Sequence, residues 1–291
     1  MFLMYFGNYL LNKGYISREK FREIIDTVEN SRPRIGVIAL HLGYLKPEDI
    51  ERITLEQQRQ NKKFGEIAIE LGLLTKEQLE EILSQQPREF LTLAQVLIDK
   101  GVFSYEELDR VMNEFKNENQ LSDDVLESLR SEDLNKIIES FVGKDIKLAN
   151  EIKEYLVVFL SSCVRFLTRN VMISREDKSV GNESFRVVYQ KIKGDVHFDT
   201  YLAIPEEGVA REFVKRYSKV PEEVIDEVLD DSIAEYLNLV NGLVLVNYSE
   251  NGINCELEPP CFVKEIPEDA GKIQSEIQTD FGTFYVVQLP K

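Results

Sequence analysis

Between Asp231 and Gly242 the chain reads Asp-Ser-Ile-Ala-Glu-Tyr-Leu-Asn-Leu-Val-Asn-Gly. Asp231, Glu235, Asn238 and Gly242 recur at the three- and four-residue steps that bring side chains together on one helix face. Glu235 and Asn238 then stand side by side, a carboxylate next to a carboxamide. The first accepts hydrogen bonds and carries charge; the second donates and accepts without ionising. Ile233, Leu237, Val240 and Val244 supply the buried stripe of the same helix. Gly242 costs a helix interior about 1 kcal/mol relative to alanine, which predicts that another backbone approaches closely there. A helix face with Glu and, three residues on, Asn is by itself usually only solvated, so its chemistry depends on the domain that presents it.

Composition narrows that chemistry. With 291 residues the chain is long enough for two domains, and 35 basic against 52 acidic side chains leave a net charge of -17. Such a balance argues against a general binder of nucleic acid or anionic membrane and favours a protein partner. Three cysteines (Cys163, Cys255, Cys261) and two histidines (His41, His197) are too few and too scattered for a disulfide framework or a zinc cluster. No Cys, Ser or Asp can be paired with His197 by spacing, so it reads as a surface or edge residue. Apolar runs such as Leu156 to Leu160 fall far short of the roughly 20 residues that span a bilayer, and no basic region precedes Phe2-Leu3-Met4. The expectation is a cytoplasmic chain without a metal or cofactor of its own.

The elements that must position the acid and amide follow from periodicity. Asn150 to Asn170 has a wide apolar helical stripe that includes Cys163, expected as a buried structural thiol. Ser184 to Ile192, a turn at Lys193-Gly194-Asp195, and Val196 to Ile204 predict a hairpin. Pro205-Glu206 opens a helix through Tyr217. Pro221-Glu222-Glu223 opens a longer one that carries Glu235 and Asn238, and strands follow around Gly252 to Leu257 and Thr279 to Leu289. Residues 144–291 thus read as an α+β domain, helices against an antiparallel sheet. Cys255 and Cys261 read as strand or loop thiols, with a redox pair as the alternative.

The first third repeats. Gly7, Gly36, Gly65 and Ala94 are spaced by 29 residues, and so are Gly14, Gly43, Gly72 and Gly101. Each unit has a short amphipathic run, a glycine, an apolar pair, a start signal and a longer apolar-periodic segment. Ser17, Thr75 and Ser104 suit helix N-caps, with Gln78 and Glu107 completing capping boxes and Pro47 in the first helical position of the second unit. Residues 1–116 therefore read as four helix-turn-helix repeats stacked into an all-α array. The polar, acidic stretch 117–143 reads as a linker with a connecting helix.

From about residue 145 the chain resembles the CheC, CheX and FliY family of chemotaxis phosphatases, in the single-site CheX form. A strand precedes a Pro-Glu-Glu helix (Thr200 to Ala210), and a later helix carries Glu-x-x-Asn with a glycine four residues on: Glu235, Asn238 and Gly242, with Asp231 before them. The resemblance implies hydrolysis of the aspartyl-phosphate on a CheY-like receiver. Asn238 would position the attacking water and Glu235 would hold the receiver in register, while any Mg2+ would belong to the receiver. The repeats resemble the MshEN domain of type II secretion and type IV pilus ATPases. Arg34, Ile35, Gly36 and Leu40, then Lys63, Phe64, Gly65 and Ile69, carry that likeness, closed by Gln57 and Gln86. Lys63 stands where that motif has an arginine, a mobile ammonium in place of a planar fork. This second resemblance implies cyclic di-GMP as a ligand, against a protein-docking or purely structural array. A non-catalytic interaction protein in motility or secretion signalling, and a homodimer, stay open.

Overall fold

The computed structural model describes residues 1–290 apart from 32, 60–62, 85–88, 144–147, 177–179, 181–183, 206–207 and 269–270. Two compact units emerge: residues 2–131, and Met1 with residues 132–291. The division falls inside the 117–143 stretch read as a linker.

The first unit is all helix: α1 (Phe2–Asn12), α2 (Arg18–Glu29), α3 (Ile35–His41), α4 (Pro47–Arg59), α5 (Phe64–Glu70), α6 (Lys76–Ser84), α7 (Glu89–Asp99), α8 (Tyr105–Glu118) and α9 (Asp123–Ser131). Gly14, Gly43, Gly72 and Gly101 end the first helix of each hairpin at φ between +63° and +73°, the left-handed region where glycine has no steric penalty. Ser17 caps α2 through the Lys20 amide, and the Thr75/Gln78 and Ser104/Glu107 boxes both form.

A second set of glycines serves packing. A Cβ on Gly7 would stand 2.1 Å from the Phe21 ring, one on Gly65 2.8 Å from Leu79, and one on Gly36 3.3 Å from Phe64. The helices are not stacked in simple succession. The α7 helix packs on α1, α2 and α3, so the fourth hairpin closes back on the first, while α3 packs on α5 and α6. The Tyr15 hydroxyl donates to Glu114 at 2.8 Å across the one closure, and the Tyr44 hydroxyl to Glu81 at 2.6 Å across the other. Phe2, Phe6, Tyr9, Phe90 and Phe115 interlock at its centre, with ring centroids 5.3–6.5 Å apart.

In the second unit, α10 (Leu134–Phe141) and α11 (Asn150–Phe166) precede β1 (Val171–Arg175), β2 (Phe185–Gly194) and β3 (Phe198–Pro205). Next come α12 (Val209–Ser218), a 3-10 turn (Glu222–Val224) and α13 (Ile225–Glu250), then β4 (Cys255–Leu257), β5 (Cys261–Val263), β6 (Ile273–Thr279) and β7 (Gly282–Pro290). The strands form one antiparallel sheet in the order β1-β6-β7-β3-β2-β4, with β5 also paired to β2. The hairpin expected from Ser184 to Ile204 is β2 and β3, with Gln190 opposite Thr200. Strands β1, β5 and β6 were not anticipated from the sequence.

Helices α11, α12 and α13 cover one face of the sheet. Val187, Tyr201, Ala203, Val287 and Leu289 form a second apolar layer with Val180 and Ile266. The 26 residues of α13 make a rod about 39 Å long. Its buried side is the expected stripe, Ile233, Leu237, Val240 and Val244, extended by Tyr236, Asn241 and Tyr248. No helix among the described residues is long and apolar enough to cross a membrane.

Candidate functional site

The acid and amide sit mid-way along α13. Tyr236 anchors this part of the helix: its ring meets Phe213 at 4.9 Å, Tyr217 at 5.3 Å and Phe159 at 6.2 Å, each edge to face. Because Tyr236 and Leu237 point inward, Glu235 and Asn238 are turned outward, and both are exposed. Asp231, one turn before Glu235, is exposed as well.

Charge pairing separates these acids from their neighbours. Arg186 pairs with Asp230, and Arg211 with Asp226 and Glu222. Glu235 and Asp231 have no ion-pair partner among the described residues. Glu235 still acts on Tyr217: desolvation first, then this carboxylate, raises the phenol above its ordinary value.

Asn238 is held from below. Gln190 on β2, with no exposed surface, donates from Nε2 to Asn238 Oδ1 at 2.7 Å and to the Glu258 carbonyl at 2.8 Å. Asn241, one turn along α13 and equally buried, donates from Nδ2 to Gln190 Oε1 at 2.8 Å and to Thr200 Oγ1 at 2.9 Å. The Thr200 hydroxyl donates in turn to the Gln190 carbonyl at 2.8 Å. Sequence reasoning missed Gln190, Thr200 and Asn241. The signal was present in the phase of β2, where Gln190 alternates with Val188 and Ile192 and so belongs to their buried face.

The close backbone approach expected at Gly242 is corrected. A Cβ there would meet nothing of this chain within 4 Å. The glycine instead leaves a shallow place on the outer surface of α13, next to Leu243 at 36% and Val246 at 56% exposure. One helix therefore presents an unpaired carboxylate, an anchored carboxamide, and a flat apolar patch within about three turns.

The remaining residues of interest lie elsewhere. The three cysteines are free. Cys261 and Cys255 pair with Tyr189 and Gly194 of β2, five residues or about 16 Å apart along the strand, well beyond the span of a disulfide, so the redox-pair alternative falls. His197 is exposed, just before β3. No group of three or more His, Cys, Asp or Glu among the described residues is arranged to hold a metal ion.

In the helical unit Arg34 caps α3 without a side-chain bond and pairs with Asp99 at 3.1 Å, beside a cleft of about 340 Å³ lined by Thr27, Ser31, Gln95 and Lys100. Lys63, at the start of α5, is not among the residues lining that cleft. Gly36 and Gly65 are buried, and Ile35, Leu40, Phe64 and Ile69 are half-buried. Gln86 and the Glu206-Glu207 of the expected Pro-Glu-Glu helix start lie outside the described residues.

Residues 187–277 match the family model described as chemotaxis phosphatase CheX. This part of the chain is CheX-like. The CheX-like domain is similar to solved structures of a chemotaxis protein CheX from Vibrio vulnificus, with 14% identity and a TM-score of 0.42 over 49% of this chain and 100% of that one. It is also similar to a CheC-like superfamily protein from Shewanella, with 18% identity and a TM-score of 0.41 over 49% of this chain and 97% of the other. A third is the CheX of a CheX-CheY-BeF3-Mg2+ complex from Borrelia burgdorferi, with 16% identity and a TM-score of 0.40 over 48% and 97%. No curated protein sequence matches the chain.

Proposed function

We propose that the CheX-like domain speeds hydrolysis of the aspartyl-phosphate on a CheY-like receiver. Asn238 orients the attacking water and Glu235 secures the receiver through one of its basic residues. The observation that carries the reading is the fixed, outward carboxamide of Asn238 one turn from an unneutralised Glu235. Both stand on a face that nothing else in the described domain covers.

The chemistry asks little of this chain. An acyl phosphate is already reactive, and its in-line displacement is accelerated mainly by placing the nucleophile and stabilising spread negative charge. The receiver brings the phosphoryl group, its carboxylate and its Mg2+. A neutral amide holds a water without adding charge beside the phosphate, and a carboxylate one turn away gives an orienting ion pair with a lysine or arginine of the partner. Gly242 and the apolar patch beyond it let a partner surface come close to the helix.

Decay of a phosphorylated receiver from the same source, with and without the protein, tests this. Wild type accelerates the decay and Asn238→Ala does not, with the fold unchanged by circular dichroism. Glu235→Ala acts mainly on the receiver concentration needed for half-maximal rate. Receivers that bind without faster decay would instead make the protein a docking factor.

For the helical unit, the reading we favour is a packing and docking array. Its motif glycines, Gly36 and Gly65, pack against Phe64 and Leu79, and its two motif cations do not share the cleft beside Arg34. Calorimetry with cyclic di-GMP, using Arg34→Ala as control, decides the alternative. Binding on the order of tens of micromolar or tighter, lost in the variant, would reinstate a nucleotide sensor.

A further inference from the structure

The polar cluster beneath Asn238 fixes which edge of that amide faces outward. The Glu258 main-chain carbonyl can only accept, so the Gln190 side chain must present its nitrogen there, at 2.8 Å. The other hydrogen of that nitrogen then points at Asn238, 2.7 Å away, and Asn238 must offer its oxygen. The opposite end of the cluster agrees. Thr200 spends its one proton on the Gln190 carbonyl and can only accept from Asn241, which turns the Asn241 nitrogen toward Thr200 and toward Gln190 Oε1. Reversing Gln190 would set its side-chain oxygen against the Glu258 main-chain carbonyl, two acceptors face to face, at the cost that attends unpaired buried polar groups. Gln190, Thr200 and Asn241 have no exposed surface, so the orientation is locked by the sheet and not chosen by solvent.

We propose that Gln190 is the positioning residue for Asn238. It holds Oδ1 inward and commits one of its lone pairs, so that the edge offered to a receiver is the Nδ2 hydrogens. This rests on the phosphatase reading and deepens it. The water that Asn238 orients is one whose oxygen accepts from Nδ2 and keeps its second lone pair for phosphorus. Asn238 also arrives with its side-chain rotation already restricted, which is the part of positioning that an exposed asparagine on a bare helix lacks.

Two measurements on the full-length protein test it. In wild type, hydrogen exchange of the side-chain amides by NMR should show the Gln190 group protected and the Asn238 group exchanging freely. Equal, rapid exchange of both would overturn the proposal without reference to activity. Gln190→Met, close in size and unable to donate, should lower the saturating rate of receiver dephosphorylation by roughly tenfold or more while leaving receiver affinity within about twofold. A saturating rate unaltered by Gln190→Met would overturn it. Wild type that accelerates no native receiver would end the phosphatase reading, while the exchange experiment would still decide the orientation.

Discussion

The Tyr236 hydroxyl lies 3.3 Å from Cys163 Sγ, and both residues are fully buried between α11 and α13. Desolvation dominates at the thiol and pushes its pKa up to about 12, against the smaller lowering effect of the Tyr236 hydrogen bond. Since the thiolate is the reactive species, Cys163 should be inert in the native protein. A thiol reagent at mildly alkaline pH should therefore modify exposed Cys261 first, half-buried Cys255 more slowly, and Cys163 only with unfolding. Mass spectrometry of partially labelled protein checks the order. Labelling of Cys163 at the rate of Cys261 would mean that α11 and α13 separate readily.

The same burial makes the domain sensitive to base. Tyr155, Tyr236 and Tyr248 have hydroxyls raised by desolvation, as Cys163 does. In the unfolded chain the thiol and phenols ionise near their ordinary values, about 9 and 10. Above those values the unfolded state has lost protons that the folded state keeps, so unfolding becomes easier as pH rises. The stabilisation is complete below about pH 8 and shrinks steadily beyond pH 9. The denaturant midpoint should fall between roughly pH 8 and pH 10.5, and Cys163→Ala should make that fall shallower. A midpoint independent of pH over this range would contradict the burial of these groups.

Particular residues show how far the sequence could be read. The helical period put Ile233, Leu237, Val240 and Val244 inside and Glu235 and Asn238 outside, and the structure has them there, because a long helix on a sheet admits only one rotation that buries its stripe. The hairpin of β2 and β3 was legible for the same reason. Strand β6 was not: Ile-Gln-Ser-Glu-Ile-Gln-Thr looks like a polar loop, yet Gln274 and Ser275 are buried between β1 and β7. Strand β5 spans only three residues, and pairing with β2 defines it more than its own composition does. Closure of the fourth hairpin on the first was hidden because a repeat period specifies the unit and not how the ends of the array meet. Gln190 was not legible for a related reason: a lone polar residue in a strand does not by itself reveal that its face is buried.

Ranked costs are expected at the packing glycines of the helical unit. Alanine at position 7 would drive a methyl into the rigid Phe21 ring, at position 65 into the Leu79 methyls, and at position 36 only to the edge of Phe64. Overpacking costs typically about 1–3 kcal/mol. Gly7→Ala should destabilise most, Gly65→Ala less because Leu79 can change rotamer, and Gly36→Ala least. Thermal melting of the three variants gives the order directly. Equal, negligible effects would mean that these glycines are kept for a ligand and not for packing.

Gly242 should behave in the opposite way, and it separates stability from docking. Its position is helical and open, with nothing of this chain within 4 Å of a Cβ. Gly242→Ala should therefore stabilise the protein by roughly 0.5–1 kcal/mol through helix propensity alone. A longer side chain there starts from that open Cβ position and stands on the surface beside Leu243, Val246 and Asn238 that the phosphatase reading gives to the receiver. Gly242→Leu should fold normally and raise the receiver concentration needed for half-maximal dephosphorylation by about tenfold, equivalent to about 1.4 kcal/mol of lost binding. At saturating receiver the rate should largely recover, because Asn238 and its support from Gln190 are untouched. If Gly242→Leu binds and turns over the receiver as wild type does, the partner meets α13 elsewhere, and Glu235 loses its assigned role along with the glycine.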